Sequence, residues 1–580
     1  METRANSRQT GLAIGIILIG VLCVCVGAAF QVGGAAREWL AQIEPSGPTR
    51  PQDSPTAELT VAVSPGMVAP FQGLVETFNA RAHKTPDGSL MQVRVVSMVP
   101  EQMVEESLGT PAFQALAPDS SLWLSLLDRQ WAATHAADDT SVIPIGRRRF
   151  GEPVRYATSP IVIAAWESTA RELGWPEKPI GWEDIQNQAT GDPNFKWNHP
   201  STGHASGLLA TLAEFYAGAG LTRGLTAELA TAESTLEYVR AVEATIRFYG
   251  EGEDVIVQRL AEEGKNFLDA FVTQERVVLA WNRHPVTERL VAIYPAEGTM
   301  WADHPLALLE LSGPGETPVT DNQRRTYRAL VEHLLASEAQ QYLLEAGYRP
   351  ADMDIRLDEG DSPFANTNAV DWRQPQTTLQ IPPADVVEVV QNVWWYTKRP
   401  TNIVLVVDVS GSMSQYNRMP LTQAALRSFV TQIQGDRDQV GLITFASRAD
   451  IIHPIQPLDA AGRQEMLTVI DRLRPQGQTA LIDGVVKAHN ELVALGDTEA
   501  INAIVVMTDG MENASANTME SLRRRLDETD EPTIVIFTIA FGVGSDESIM
   551  RELANIGGGQ FWSAGEAEIE ELYKIISTYF

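Results

Sequence analysis

The stretch Leu405–Ser414 reads LVVDVSGSMS. An apolar run stops at Asp408, and hydroxyls follow at Ser410 and Ser412, every second position. The preceding residues extend the run to NIVLVVDV, which is apolar almost throughout. Such a run fits a strand buried on both faces of a parallel sheet. Similar runs recur as QVGLITFA from Gln439, AIVVMTDG from Ala503 and TIVIFTIAFG from Thr533. Helical patterns separate them, among them LTQAALRSFVTQI and TALIDGVVKAHNELVAL. Residues 401–580 are therefore expected to form a doubly wound α/β domain. Ligands of such domains sit at the carboxyl ends of the strands. Three polar clusters fall there: Asp408-Val-Ser410-Gly-Ser412, Gly477-Gln-Thr479 and Thr508-Asp509-Gly510.

The chemistry of these clusters is all oxygen. Carboxylates and hydroxyls without Cys or His suit a hard divalent cation, Mg²⁺ first and Mn²⁺ or Ca²⁺ as alternatives. Ser410, Ser412 and Thr479 can ligate directly, and Asp408 and Asp509 directly or through water. A cation held mainly by neutral oxygens stays electron-poor and favours a carboxylate from another molecule. The order D-x-S-x-S, later Thr, later Asp resembles the metal-ion-dependent adhesion site of von Willebrand factor A domains. The resemblance covers 401–580 and implies metal ligation by Asp408, Ser410, Ser412, Thr479 and Asp509, with a protein partner presenting an acidic residue.

Upstream, residues 58–352 open with ELTVAVSPG, a short strand and turn, followed by the helical stripe Phe71, Leu74, Val75 and Phe78. MQVRVVSM, SPIVIAAW, ERVVLAW and ERLVAIYP read as further strands, and SGLLATLAEFYAGAG and RTYRALVEHLLASEAQQYLLEAG as helical. Alternation of strand and helix predicts α/β sheets. LTVAVSPGMVAPFQGLVETFN, TSPIVIAAWESTARELGWPEKPIGWEDI, HPSTGHASGLLATLAEFY and LLASEAQQYLLEAGYRP, in that order, resemble an extracellular solute-binding protein of bacterial import systems. That likeness implies two lobes, as in periplasmic binding proteins, around a cleft for a small polar solute. By position Ser64, Ser120, Ser159, Ser201 and Ser206 are its candidate ligands. A Ser ahead of a helix offers a hydroxyl and free N–H groups, although it serves equally as a plain cap. His199 and His204 in HPSTGH lack partners at recognisable metal-site spacing and read as loop or structural residues.

Residues 353–400 are a polar, Pro-containing connector ending in ADVVEVVQNVWWY, whose Val386, Val389, Val390, Val393 and Trp394 form a core-facing helical stripe.

At the other end, Arg4 and Arg8 precede GLAIGIILIGVLCVCVGAAF, Gly11–Phe30. That uncharged run has about the twenty residues a bilayer core requires. The expectation is a single transmembrane signal anchor at 11–30, with residues 1–10 cytoplasmic and the bulk of the chain extracytoplasmic at the cell membrane. A cleaved signal peptide usually has a shorter apolar region. Residues 31–57 form a Pro-rich linker. Both cysteines, Cys23 and Cys25, lie in the apolar run, so no disulfide is available to the later domains.

The net charge of −31 argues against nucleic acid or an anionic membrane surface as a partner. No P-loop or His-Glu-x-x-His occurs, and Ser410 stands where a phosphoryl-transfer site of the haloacid-dehalogenase type needs a second acid. The expectation is therefore not an enzyme but an anchored binding protein for adhesion or complex assembly. The alternative is the solute receptor of an ABC-type importer, with its C-terminal domain organising the machinery.

Overall fold

The computed structural model describes residues 57–580 except 136–147, 251, 285, 287, 312–314, 366, 436, 527–532, 543–544, 566–568, 570–571, 574–575, 577–578 and 580. The expected anchor at 11–30, its flanking segments and both cysteines lie outside these residues. Among the described residues no helix is long and apolar enough to cross a membrane.

The first half builds two sheets. One has the order Met91–Ser97, Ala57–Val63, Ala115–Ala117, Pro305–Leu308, Val154–Arg155. Its first three strands are parallel, and Pro305–Leu308 runs antiparallel to Ala115–Ala117. The second centres on Ala157–Trp166, which pairs antiparallel with Ala270–Gln274, Leu290–Ile293, Trp301–Ala302 and Arg349–Pro350. The chain thus passes from the first sheet to the second between Arg155 and Ala157, and back between Ala302 and Pro305.

One expected strand is a helix. ERVVLAW forms Glu275–Asn282, directly after the strand Ala270–Gln274. Val277, Val278 and Leu279 are all buried, so the run lacks the alternation that separates strand from helix. The long helical pattern from Arg325 is likewise two helices, Asp321–Leu334 and Ser337–Glu345.

The C-terminal sheet has the order Ala449–Pro457, Gln439–Phe445, Thr401–Asp408, Ile501–Thr508, Ile534–Phe541, Phe561–Ala564. All neighbours are parallel except the edge strand Ala449–Pro457. Every residue of Thr401–Asp408 is buried. Ile403, Leu405 and Val407 join one core with Met419, Leu426 and Phe429. Val404 and Val406 join another with Leu481 and Val485. Helices on both faces explain why the strand is apolar at successive positions. Strand order reverses between Thr401–Asp408 and Ile501–Thr508, which opens a crevice between the carboxyl ends of these two strands.

Candidate metal centre and solute cleft

Asp408 ends the first strand of the C-terminal sheet, and Asp509 follows the strand beside it. The Ser410 backbone N–H donates to Asp408 Oδ1 at 2.7 Å, which turns the chain tightly after the strand. Thr508 Oγ1 donates to Asp408 Oδ2 at 2.5 Å. Ser410 and Ser412 hydroxyls lie 2.9 Å apart, and Ser412 Oγ donates to Asp509 Oδ1 at 2.6 Å. The third loop is pinned by Gly411 N–H donating to Gly477 O at 3.1 Å, with Gly477 at φ +77°. Thr479 N–H donates to Asn513 Oδ1 at 3.0 Å.

These contacts bring the five expected ligands together. A Cβ added at Gly510 would lie 3.2 Å from Thr479 Oγ1, 3.6 Å from Ser412 Oγ and 3.7 Å from Asp408 Oδ2. Three oxygens from two loops therefore surround one point on the third, a cradle that a methyl group would fill. The donor set is carboxylate and hydroxyl only, which fits a hard cation.

Charge in the cradle is set by a residue that the motif does not contain. Arg418 Nη1 donates to Asp509 Oδ2 at 2.6 Å, and both side chains are buried. The pair is neutral overall, so Asp408 supplies the one uncompensated negative charge among these residues. Burial, with a smaller push from Asp509, raises the Asp408 carboxyl to about 6. At the rim, Tyr416 is 69% and Met511 61% exposed.

The five serines differ in their surroundings. Ser64 precedes the helix Pro65–Ala80, and its buried hydroxyl lies beside Asp119. Ser120 Oγ accepts from Leu122 N–H at 3.3 Å, and Ser159 Oγ accepts from Arg276 N–H at 3.3 Å, so each serves a helix N-terminus. Ser201 is buried with an unpartnered hydroxyl, and Ser206 is buried in the first turn of Ala205–Gly218.

The seam between the first two sheets also holds charged residues, beside Ser159 and Ser120. Arg276 Nη2 donates to Glu253 Oε2 at 2.8 Å and reaches over Gly66, where an added Cβ would lie 2.2 Å from it. Tyr348 OH donates to Gly66 O at 3.0 Å. Asp119, buried, is pushed up to about 7 by burial and then by Glu253. His304 hydrogen-bonds Gln274 at 2.9 Å, and burial holds it down at about 3. Arg276 sits in the run that sequence patterning assigns to a strand. As a helix, that run brings its first turn to the seam.

Comparison with known proteins agrees with this division of the chain. A family model described as bacterial extracellular solute-binding protein matches residues 59–349. One described as von Willebrand factor type A domain matches residues 402–575. The uncharacterized protein YfbK of Escherichia coli K12 is 27% identical over 164 residues, 28% of this chain and 28% of that protein. Human calcium-activated chloride channel regulator 4 is 24% identical over 166 residues, 29% of this chain and 17% of that protein. The chain thus spans less than a third of either relative. The sulfate-binding protein SubI of Mycobacterium tuberculosis aligns at TM-score 0.35 and 15% identity, over 51% of this chain and 88% of that one.

Proposed function

Since the chain belongs to the bacterial extracellular solute-binding protein family and carries a von Willebrand factor type A domain, we propose that it is a non-enzymatic, extracytoplasmic binding protein. Its C-terminal domain captures a protein partner through a divalent cation, Mg²⁺ first. The observation that carries this reading is the convergence of Thr479, Ser412 and Asp408 oxygens around Gly510.

Ser410, Ser412 and Thr479 would hold the ion with Asp408 and Asp509. The ion would supply a Lewis-acidic position for a partner's carboxylate. Arg418 neutralises Asp509, so two positive charges would face a single negative one, and a further carboxylate is favoured. Tyr416 and Met511 present apolar surface beside that position, suited to side chains flanking the acidic residue. The solute-binding half takes a small polar solute at the seam around Arg276, Glu253 and Asp119. The apolar segment 11–30 holds the protein at the cell membrane.

Calorimetric titration of the full-length protein with Mg²⁺ tests the cation site. Binding is expected in the wild type and lost in Asp408→Ala and Ser412→Ala. Equal binding in all three proteins would refute the assignment.

A further inference from the structure

The two histidines of HPSTGH separate in the fold, and His199 enters the core. Its Nδ1 lies 2.7 Å from Pro200 O, a contact that requires Nδ1–H to donate. In the neutral ring Nε2 is then an acceptor, yet it lies 3.4 Å from Glu243 Oε1. Joining these two atoms takes a proton on one of them or a cation shared between them.

Glu214, from the helix Ala205–Gly218, completes the cluster. It is fully buried, and neither carboxylate oxygen has a hydrogen-bond partner. Ligand atoms of His199, Glu214 and Glu243 all lie within 4.8 Å of one another, and all three residues are buried. An orphaned carboxyl there is costly unless a cation or a proton meets it. Burial and the neighbouring Glu243 accordingly push the Glu214 carboxyl well above the usual range.

The surroundings have the form of a metal's outer shell. The Pro200 carbonyl orients the imidazole, as ligating histidines require. Glu243 accepts from Tyr249 OH at 2.6 Å and from Trp394 Nε1 at 2.6 Å. Both bonds orient the carboxylate. One imidazole nitrogen and two carboxylates suit a borderline divalent transition metal better than Mg²⁺ or Ca²⁺.

We propose that His199 Nε2, Glu214 and Glu243 hold a buried divalent transition-metal ion of the Zn²⁺ class. Its place in the fold gives it a role. Trp394 lies on the connector helix Ala384–Thr397, and Tyr249 OH accepts the Arg399 N–H at 2.9 Å. The ion clasps the solute-binding half to the segment that leads into the C-terminal domain.

The test uses full-length protein with Asp408→Ala, which removes the other cation site, produced in medium supplemented with Zn²⁺ or Co²⁺. After desalting, about one ion per chain is expected by elemental mass spectrometry, and Co²⁺ protein should show visible d–d bands of an imidazole-ligated ion. Adding Glu214→Gln should remove both signals. Should that variant fail to fold, growth with and without a Zn²⁺ chelator decides on the parent alone. Metal-replete protein should melt several degrees higher. Equal metal content with and without Glu214→Gln, or a parent that retains no ion and melts identically under both regimes, would overturn the proposal. In those cases the cluster is a protonated carboxyl network.

Discussion

Asp408 is legible from sequence because its information is local. A buried strand has to end, and an acid with two alternate hydroxyls at that end is visible without tertiary knowledge. Gly510 is different: its importance lies in oxygens from Thr479, Ser412 and Asp408, which only the fold assembles. Gly510→Ala should leave thermal stability within about 1 kcal/mol, since the methyl meets side-chain oxygens rather than backbone. It should weaken Mg²⁺ binding at least tenfold by calorimetry. Unchanged affinity would remove Gly510 from the cradle. Asp119 offers a pH signature. Its folded value is about 7 against 3.8 for a free side chain, so it binds a proton on folding. Its contribution to stability is full below about pH 4 and lost as pH rises through 7. His304, held near 3 against 6.5, has the opposite sign, its contribution being lost as pH falls below 6.5. The two offset each other in the wild type. Asp119→Asn should therefore gain stability relative to wild type as pH rises from 4.5 to 7.5, by up to about 3 kcal/mol. Urea unfolding at the two pH values checks this, and a pH-independent difference would contradict it.

Between elements, the joint into the C-terminal domain is tied by one buried acid. Asp438 Oδ1 accepts from Lys398 Nζ at 2.9 Å, Thr401 N–H at 3.0 Å and Thr401 Oγ1 at 2.8 Å. Lys398 and Asp438 side chains are each 1% exposed. Asp438→Ala strands a buried ammonium and should cost about 3–5 kcal/mol by urea unfolding, whereas Lys398→Met with Asp438→Leu should cost far less. Equal losses in the two proteins would show the ion pair to be incidental. The same scale marks where sequence patterning fails. Central strands such as Thr401–Asp408 announce themselves by burial on both faces. The edge strand Ala449–Pro457 does not, since Ile451 and Ile452 are exposed on an otherwise mixed run. Glu275–Asn282 misleads for the converse reason, because a short apolar run fits strand and helix equally. Arg276 was hidden with it. His199, Glu214 and Glu243 come from a loop and two helices, and nothing in their spacing brings them together.

Across the whole molecule, the solute-binding half and the C-terminal domain share an aromatic seam. Phe248 packs edge-on against Phe537 at 6.3 Å and, tilted, against Tyr579 at 5.6 Å. Tyr249 N–H donates to Tyr579 O at 3.2 Å. Arg399 donates to Ile246 O at 2.7 Å and to Glu499 O at 2.8 Å, bridging the two sides. Residues 56–580 form one compact unit, and a single core cluster runs from Leu59 to Tyr579. The folded part should unfold in one calorimetric transition. Phe248→Ala should lower stability by about 3–5 kcal/mol and split that transition in two. Two transitions in the wild type would mean that the seam is loose.

Capture of a partner through the cation would give the C-terminal domain its function. The most direct measurement is affinity capture from cell-envelope extract with the full-length protein as bait, bound proteins being identified by mass spectrometry. Mg²⁺, chelator and Asp408→Ala define the three arms. A protein retained with Mg²⁺ and lost in both other arms is the predicted result. Identical bound proteins in all three arms would contradict it.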